Sequence, residues 1–280
     1  MRAKTTISER RACWLLGLSR SVLHYQSKRV EDGVRERLVE LAGVRRRFGY
    51  RRLQFLLERE GHRINHKRVY RLYRSAGLAV RRRKRRAHIA VERQPLVLPL
   101  QANQTWSMDF VFDALSNGRK LKTLTIVDDC TKECVEIGVD TRINGEAVTR
   151  ILDRAIRFRG KPRAIRTDQG SEFTGIALNK WAHANGIDLL LIQPGKPTQN
   201  AYIESFNGKF RDECLNEQYF TSLEHARAVI ALWRRDYNEQ RPHTAIGGRT
   251  PAEFAKALRN GLLREKPTKS DKLTTMDTTK

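Results

Sequence analysis

The stretch 'TWSMDFVFDALSNGRKLKTLTIVDD' (105–129) decides the fold that this sequence predicts. Its two ends, 105–113 and 121–129, are rich in β-branched and aromatic residues, and a turn around Gly118 separates them. A third run of this kind, 'ECVEIGVD' (133–140), follows after a short gap. Short apolar runs bounded by turn residues are typical of strands, so we expect three consecutive antiparallel strands here.

Helices and strands alternate downstream of these three strands. Apolar residues recur at helical spacing in 145–160. The segments after it have the patterns of a strand, a helix, a strand and a last helix: 163–168, 174–186, 187–192 and the stretch around Glu204. Consecutive strands followed by alternating helices and strands predict an α/β domain over 103–260, with a mixed sheet flanked by helices.

The chain is strongly basic, and the charge is concentrated in its first third. It has 55 Lys and Arg residues against 31 Asp and Glu residues, a net charge of +24. Residues 1–100 contain 27 of the basic residues and 8 of the acidic ones, so they carry +19 of that charge. A positive field of this density favours binding to the phosphates of DNA or RNA over binding to a membrane surface, because no amphipathic anchor stands out.

The rest of the composition predicts a cytoplasmic protein without a membrane partner. The sequence has no apolar run of about 18 residues and no signal-peptide pattern. Its four cysteines form no CxxC pair, which is typical of reduced thiols and not of a disulfide framework.

The segment 49–78 predicts a helix-turn-helix DNA-binding module. A leucine stripe marks its first helix, Gly61 ends that helix, and Asn65 is suited to cap the second. The recognition helix of such a motif lies in the major groove and places basic side chains on phosphates and base edges. The predicted DNA contacts of this module are Arg51, Arg52, Lys67, Arg68, Arg71 and Arg74. The alternative is a basic helix that is solvated and touches nothing.

Composition divides the chain into five parts. They are a helical element with two short helices around Gly17 (1–30), the helix-turn-helix module (31–80), a basic linker (81–102), the α/β domain with its C-terminal helices (103–260) and a tail (261–280). The linker begins with 'RRRKRR', whose like charges repel, so we expect it to be mobile and to follow a phosphate backbone. The tail has almost no apolar content, from which we expect disorder.

Three carboxylates can converge at one edge of the predicted sheet. Metal-assisted phosphodiester chemistry requires several hard oxygen ligands at one point, since Mg²⁺ prefers carboxylate and water oxygens. Asp109 lies in mid-strand among large apolar neighbours, and Asp168 ends a strand just before a glycine turn, where ligand sites collect in α/β sheets. Glu204 flanks the stripe that would bury its helix. An isolated glutamate would be a solvated helix residue, so Glu204 is weighed here together with Asp109 and Asp168 as a candidate ligand.

Neighbouring acids are weaker candidates for this site. Asp113 lies about 13 Å along the strand from the mid-strand aspartate, next to a turn, and we expect it to be solvated. Asp128 and Asp129 close a strand but point to opposite faces, so we expect structural roles for them. Glu213 lies about 13 Å along the helix axis from Glu204 and on the opposite side.

Two basic residues near Glu204 are predicted to hold DNA. Arg211 lies two helical turns further on and about 20° from the line of Glu204, so it can bind a phosphate of a strand that is cut there. Lys196 lies in the preceding segment 'PGKPTQN' (194–200), which we expect to be a loop that orders when a DNA end enters the site.

Several sequence blocks resemble the OrfB-type transposases of the IS-three insertion-sequence family, within the DDE superfamily that includes retroviral integrases. The spacing of Asp109, Asp168 and Glu204, with thirty-five residues between the last two, is one mark of that superfamily. The blocks that carry the resemblance run in order between about residues 8 and 255, and include 'NQTWSMDFVFDAL', 'LTIVDDCTKEC', 'IRTDQGSEFTG', 'QPGKPTQNAYIESFNGKFRDECLN' and 'YNEQRPHTAIGGRTPAEF'.

The resemblance implies a ribonuclease-H-like core in which Asp109, Asp168 and Glu204 hold two Mg²⁺ or Mn²⁺ ions, about 3.5–4 Å apart. One ion would activate the attacking oxygen and the other would stabilise the leaving 3′-oxygen, first in end cleavage by water and then in strand transfer by the freed 3′-hydroxyl. It also implies DNA as the substrate, an OrfA product or OrfA fusion as a partner, at least two copies on DNA, and a place at the bacterial nucleoid.

The chain departs from the family pattern in two respects. Gln169 stands where the family usually has asparagine, which could alter a hydrogen bond near the site without removing a metal ligand. The zinc-binding His/Cys module of retroviral integrases is missing, since His62 and His66 have no matching cysteine pair nearby.

Two other functions are compatible with parts of this pattern. A degenerate relative would occupy DNA through residues 1–90 and repress without chemistry, although the complete set of three carboxylates argues against it. A nuclease that only hydrolyses would share the metal site but would not require the basic front module.

Overall fold

The computed structural model describes residues 7–25, 33–80, 99–192 and 200–262. Lys196, most of the predicted linker and nearly all of the predicted tail lie outside these residues. The helices are α1 Glu9–Leu15, α2 Arg20–Leu23, α3 Val34–Val44, α4 Tyr50–Arg59, α5 His66–Ser75, α6 Gly145–Arg159, α7 Ser171–Thr174, α8 Ile176–Asn185, α9 Ala201–Glu213, α10 Leu223–Glu239 and α11 Pro251–Arg259. The strands are β1 Thr105–Ala114, β2 Lys120–Asp128, β3 Cys134–Asp140, β4 Ala164–Thr167 and β5 Asp188–Leu191.

One five-stranded mixed sheet forms the centre of the α/β domain. Its strand order is β3-β2-β1-β4-β5. The first three strands are antiparallel to one another, whereas β4 is parallel to β1 and β5 is parallel to β4. The predicted strands and helices of this domain are confirmed to within about two residues at each end. Strand β1 is therefore the central strand.

Helices cover both faces of this sheet, and the alternation of side chains along β1 decides what each face receives. Trp106 and Met108 point into the core that α6 and α8 close, and both are fully buried. Val111 points to the other face, where Phe206 of α9 and residues of α10 pack. Because side chains alternate along a strand, Asp109 lies on the α9 face, next to the centre of the sheet.

The front module is a three-helix unit. Helices α3, α4 and α5 pack around a small core that includes Leu38, Leu53 and Tyr73. The predicted start of α5 is confirmed, since the side chain of Asn65 accepts a hydrogen bond of 2.9 Å from the backbone N–H of Lys67. The sequence prediction of two helices in 49–78 holds, and the structure adds α3 to them.

The helical element at the front has almost no core of its own. The Ser19 side chain caps α2 as its position suggests, and the turn at Gly17 has a positive φ of 64°. In α1 and α2 only Cys13 is buried. Within the described residues, no helix of the protein is long and apolar enough to cross a membrane.

Four arginines of the front module bind carboxylates of the C-terminal helices and the loops beside them. The pairs are Arg45 with Asp236, Arg47 with Asp212, Arg52 with Glu213 and Arg59 with Glu253. Phe48 lies beneath this layer, with the guanidinium of Arg52 at 4.6 Å from its ring centre. The front module is thereby held against the α/β domain through α9, α10 and α11.

Arg52 requires a correction to the predicted DNA contacts. Its guanidinium donates a 2.6 Å hydrogen bond to Glu213 in a part-buried position, because α4 turns this residue towards α9 and not towards solvent. A side chain that is committed to a buried carboxylate is a poor phosphate ligand. We therefore leave Arg52 out of the DNA-binding surface.

Glu213 joins two arginines at the centre of this interface. Arg241 also binds it, through two hydrogen bonds of 2.7 and 2.6 Å, and only 8% of the Glu213 side chain is exposed. Burial alone would raise the pKa of this carboxyl, but the hydrogen bonds and charges of Arg241 and Arg52 outweigh it and hold the pKa below its ordinary value. Glu213 thus pairs with two guanidinium groups at this interface, of which Arg241 is buried and Arg52 is part-buried.

We expect Glu213→Gln to lower the free energy of unfolding by about 3 kcal/mol, because it leaves Arg52 and Arg241 buried without a carboxylate. Asp212→Asn is the matched control, since its partner Arg47 and Asp212 itself are 35% and 38% exposed. Asp212→Asn should lower the free energy of unfolding by at most about 1 kcal/mol. Urea unfolding of the full chain measures both, and equal losses would contradict a special role of Glu213.

Candidate active site

Asp109 is the carboxylate at the centre of the sheet. Its Oδ1 accepts a 2.7 Å hydrogen bond from the backbone N–H of Phe110, and its Oδ2 accepts a 2.8 Å bond from the side-chain amide of Asn207. The side chain is half-buried between β1 and α9. The partner that sequence analysis lacked for this mid-strand aspartate is therefore an amide on the helix that carries Glu204.

A threonine on the neighbouring strand fixes the orientation of that amide. The hydroxyl of Thr125 lies 2.8 Å from Oδ1 of Asn207 and 3.0 Å from the backbone oxygen of Asp109, so its single proton is shared between these two acceptors. With its oxygen bound to Thr125, Asn207 presents its NH₂ group to the carboxylate. Sequence analysis gave Asn207 no role, although its position three residues after Glu204 on the same helix was an available signal.

Asp168 directly follows β4, at the carboxyl end of that strand. Its Oδ1 accepts a 3.0 Å hydrogen bond from the backbone N–H of Gly170, which closes a tight turn before α7. A Cβ at Gly170 would approach the Asp168 oxygen to 3.2 Å, so a side chain there would crowd the carboxylate. Gln169 points away and donates to the backbone oxygen of Ile192 at 3.1 Å. Asp168 is exposed and available to a ligand.

Glu204 lies in the first turn of α9 and is exposed. The predicted buried stripe of this helix is confirmed, since Ile203, Phe206 and Phe210 are almost completely buried. The packing of that stripe leaves Glu204 on the flank of the helix, on the side of the sheet that also holds Asp109.

The three carboxylates share one electrostatic environment. The pKa of Asp109 is raised to about 6, first because burial disfavours its charge and then because Asp168 and Glu204 add negative charge nearby. The hydrogen bonds from Phe110 and Asn207 oppose this rise. A cation at this point would remove both causes of the raised pKa, and carboxylate oxygens are the donors that hard divalent ions prefer.

The three carboxylates do not converge to ligand distances. Among residues 7–25, 33–80, 99–192 and 200–262, no three His, Cys, Asp or Glu side chains are arranged so that they could hold a metal ion. Like charges repel one another unless a cation lies between them. The donor type nevertheless fits a divalent ion, because all three side chains are carboxylates and the charges of Asp168 and Glu204 both act on Asp109.

Asp128 and Asp129 have the structural roles that their strand position suggests. Asp128 accepts hydrogen bonds from the backbone N–H groups of Asn103, Cys130 and Thr131 and so closes the turn after β2. Asp129 is buried and binds the guanidinium of Arg166 at 2.5 Å. Neither carboxylate faces the open site.

The predicted DNA-binding residues fall into two groups. Lys67, Arg71 and Arg74 are exposed along α5, and Arg51 is exposed beside the Tyr50 ring. Arg68 is half-buried on the same helix.

Arg211 belongs to the second group. It is exposed on α9, and its guanidinium lies 3.3 Å from the backbone oxygen of Phe112, to which it donates. This places it on the same face of the sheet as Asp109, two turns of α9 beyond Glu204.

Models of known domains match most of the chain. Two models described as "Integrase core domain" match residues 99–197 and 185–251, and one described as "HTH-like domain" matches 31–86. In a cryo-EM structure of a simian T-cell lymphotropic virus intasome, one chain has the same fold, with a TM-score of 0.52 and 16% sequence identity. The match covers 82% of this chain and 77% of that one. The ribonuclease-H-like core is confirmed.

Three relatives extend the similarity over nearly the whole sequence. The insertion element IS407 31.7 kDa protein of Burkholderia multivorans is 66% identical, over 91% of this chain and 93% of its own. The IS476 39.2 kDa protein of Xanthomonas euvesicatoria is 56% identical, over 90% and 73%. Transposase InsD of Escherichia coli is 28% identical, over 85% and 88%. The chain therefore belongs to the insertion-element transposases of the DDE integrase superfamily.

Proposed function

We propose that Asp109, Asp168 and Glu204 are the metal ligands with which this DNA transposase cleaves and joins DNA strands. The geometry carries the assignment: Asp109 on the central strand is bound by Asn207 of α9, the helix whose first turn carries Glu204. The pKa of Asp109 is also raised in part by the charges of Asp168 and Glu204. Integrase cores depend on divalent metal. We assign two ions, Mg²⁺ or Mn²⁺, because three carboxylates with several free oxygens suit a two-metal displacement.

The residues of the chain have separate tasks in this site. Asn207 keeps the Asp109 carboxylate turned towards the open side of the sheet, and Thr125 keeps Asn207 in that orientation. The Gly170 N–H holds one oxygen of Asp168 and leaves the other free. The bound ions would supply an activated attacking oxygen and a stabilised leaving oxygen. Arg211, exposed two turns beyond Glu204, would bind a phosphate of the cut strand.

The same site would act twice. Water first attacks the phosphodiester at an element end and releases a 3′-hydroxyl, and that hydroxyl then attacks a phosphodiester of another strand. Each step exchanges one oxygen for another at phosphorus, so no covalent protein intermediate is required. The intact set of three carboxylates disfavours the alternative of a repressor without chemistry.

The exposed basic face of α5 is proposed as the duplex-binding surface of the front module. Lys67, Arg71 and Arg74 project from it, and Val69 and Tyr73 on its other side hold it to α4. Basic side chains on a recognition helix bind phosphates and base edges. Arg51 extends this surface on α4, and Lys196, which lies outside the described residues, is proposed as a further DNA contact.

Assembly on DNA requires further components in this proposal. Two element ends must be brought together, so at least two copies act on one DNA. An OrfA product, separate or fused, would recognise the ends, and the longer IS476 relative, of which the match covers 73%, is compatible with such an added part. The complex would act at the nucleoid, in the cytoplasm. We propose that the five parts of the chain meet at residues 30, 80, 102 and 260.

We expect Asp109→Asn, Asp168→Asn and Glu204→Gln each to lower end cleavage and joining at least about a hundredfold, because each removes a charge that holds the ions. The assay incubates the chain, alone or fused to OrfA, with labelled element-end DNA and Mg²⁺. Joined strands appear as products longer than the substrate. Asp113→Asn on the same strand is the control and should retain activity. Joining that survives in all three variants would disprove the metal site, and shortened products alone from the unmodified chain would indicate a nuclease.

Asp109→Asn should also stabilise the metal-free protein at pH 7. The folded chain keeps the Asp109 proton up to about pH 6, whereas the unfolded chain releases it near the ordinary value of 3.8. The folded state binds more protons between these values, so the free energy of unfolding falls as pH rises through this window. The variant should gain about 2 kcal/mol at pH 7 and little at pH 3.5 in urea unfolding with EDTA. A gain that is equal at both pH values would contradict the assignment.

Arg71→Ala should weaken duplex binding and reduce the slope of log K against log salt by about 1, because one phosphate contact is lost. Metal binding and activity per bound complex should stay the same. The control is Arg119→Ala in the exposed β1–β2 turn, and fluorescence anisotropy at several salt concentrations measures both. If both variants keep the original slope, α5 is not the DNA contact.

A further inference from the structure

A cleft opens at the edge of the sheet that lies furthest from β5. It has a volume of about 580 Å³ and runs between α6 and α10. Its floor is formed by the middle of β3, at Ile137, Gly138 and Val139. No residue of the proposed active site lines this cleft.

Five arginines surround the cleft: Arg142, Arg150, Arg154, Arg227 and Arg234. Two of them are fixed by the edge strand itself. Arg227 donates to the backbone oxygen of Val139 at 3.0 Å and binds Asp140 at 2.9 Å. Arg234 makes the equivalent pair of contacts with Val135 and Glu136, at 3.0 and 2.9 Å. These two guanidinium groups therefore have their carboxylates in place along one side of the cleft.

The other three arginines have no such partner. Arg142, Arg150 and Arg154 are exposed, and none of them forms an ion pair within the part of the chain that the structure describes. Arg150 and Arg154 lie one turn apart on α6 and face the same way. With the carboxylates of Asp140 and Glu136 counted, the cleft keeps a net charge of +3. Uncompensated guanidinium groups on one rim favour a ligand with several anionic oxygens.

The edge strand is closed to another strand, which limits what the ligand can be. Arg227 and Arg234 occupy two outward backbone oxygens of β3, and Asn238 binds both the N–H and the backbone oxygen of Cys134. A Cβ at Gly138 would lie 2.4 Å from Ile151, so the floor has no room for added side chains. The ligand must lie over the arginines and not pair with the sheet.

We propose that this cleft binds the phosphodiester backbone of duplex DNA, as a second contact apart from the catalytic site and from α5. The edge strand is two strands away from β1, or roughly 10 Å in the plane of the sheet. A transposase must hold both an element end and a target, so a second basic surface on the same domain has a use. One or two phosphates of the target duplex lie between α6 and α10, and Arg150 and Arg154 bind their oxygens.

The test compares two double variants of the full chain. Arg150→Ala/Arg154→Ala removes the proposed contacts, and Arg119→Ala/Arg235→Ala removes two exposed arginines outside the cleft. The probe is a short labelled duplex without element ends, titrated in EDTA at several salt concentrations. We expect the slope of log K against log salt to be smaller in magnitude by about 2 for the cleft variant than for the control. The cleft variant should also bind the duplex more weakly.

A charge-conserving variant and a measurement of the mass of the DNA-free protein test the proposal further. Arg150→Lys/Arg154→Lys keeps the charges and should keep most of the slope, which a folding defect would not. Equal slopes in the cleft variant and the control would overturn the proposal. A change in the sedimentation mass of the DNA-free protein on Arg150→Ala/Arg154→Ala would also overturn it, because the cleft would then join two copies of the chain.

Discussion

A half-buried carboxylate on the central strand is the constraint on which the rest of the site depends. Asp109 is tied to α9 by the amide of Asn207, and Asn207 is tied to β2 by Thr125. These bonds fix where α9 lies along the sheet, and α9 carries Glu204. The cost is an aspartate whose charge is disfavoured by burial and by two other carboxylates. A cation relieves that cost, so the geometry is arranged for a charge that the chain itself lacks.

The same helix connects the proposed metal site to the front module. Its first turn carries Glu204, and its last turn ends at Glu213, which neutralises Arg52 of the front module and Arg241. A shift of the front module would therefore act on the helix that carries Glu204. The arginines of the front module fall into two sets: those of α4 and of the α3–α4 connection that pair with carboxylates of the α/β domain, and those of α5 that are exposed.

Much of the fold could be predicted from residues taken in order. Short apolar runs with glycine turns gave the strands, helical spacing gave α6 and α9, and Asn65 gave the start of α5. The predictions that went wrong or were incomplete concern contacts between distant segments. Arg52 looked like its exposed neighbour Arg51, since nothing nearby in the sequence shows that Glu213, over 160 residues later, would neutralise it.

The sequence by itself determined the family and the alternation of strands and helices, and it singled out three carboxylates as candidates, because local patterns and short motifs carry that information. Only the tertiary structure decided which side chains support them. The role of Asn207, the pairing of Arg52 and the arginine cleft all arise where elements far apart in the chain pack together. Hydrogen bonds and charges act over a few ångströms of space, and distance along the chain does not reveal which groups meet.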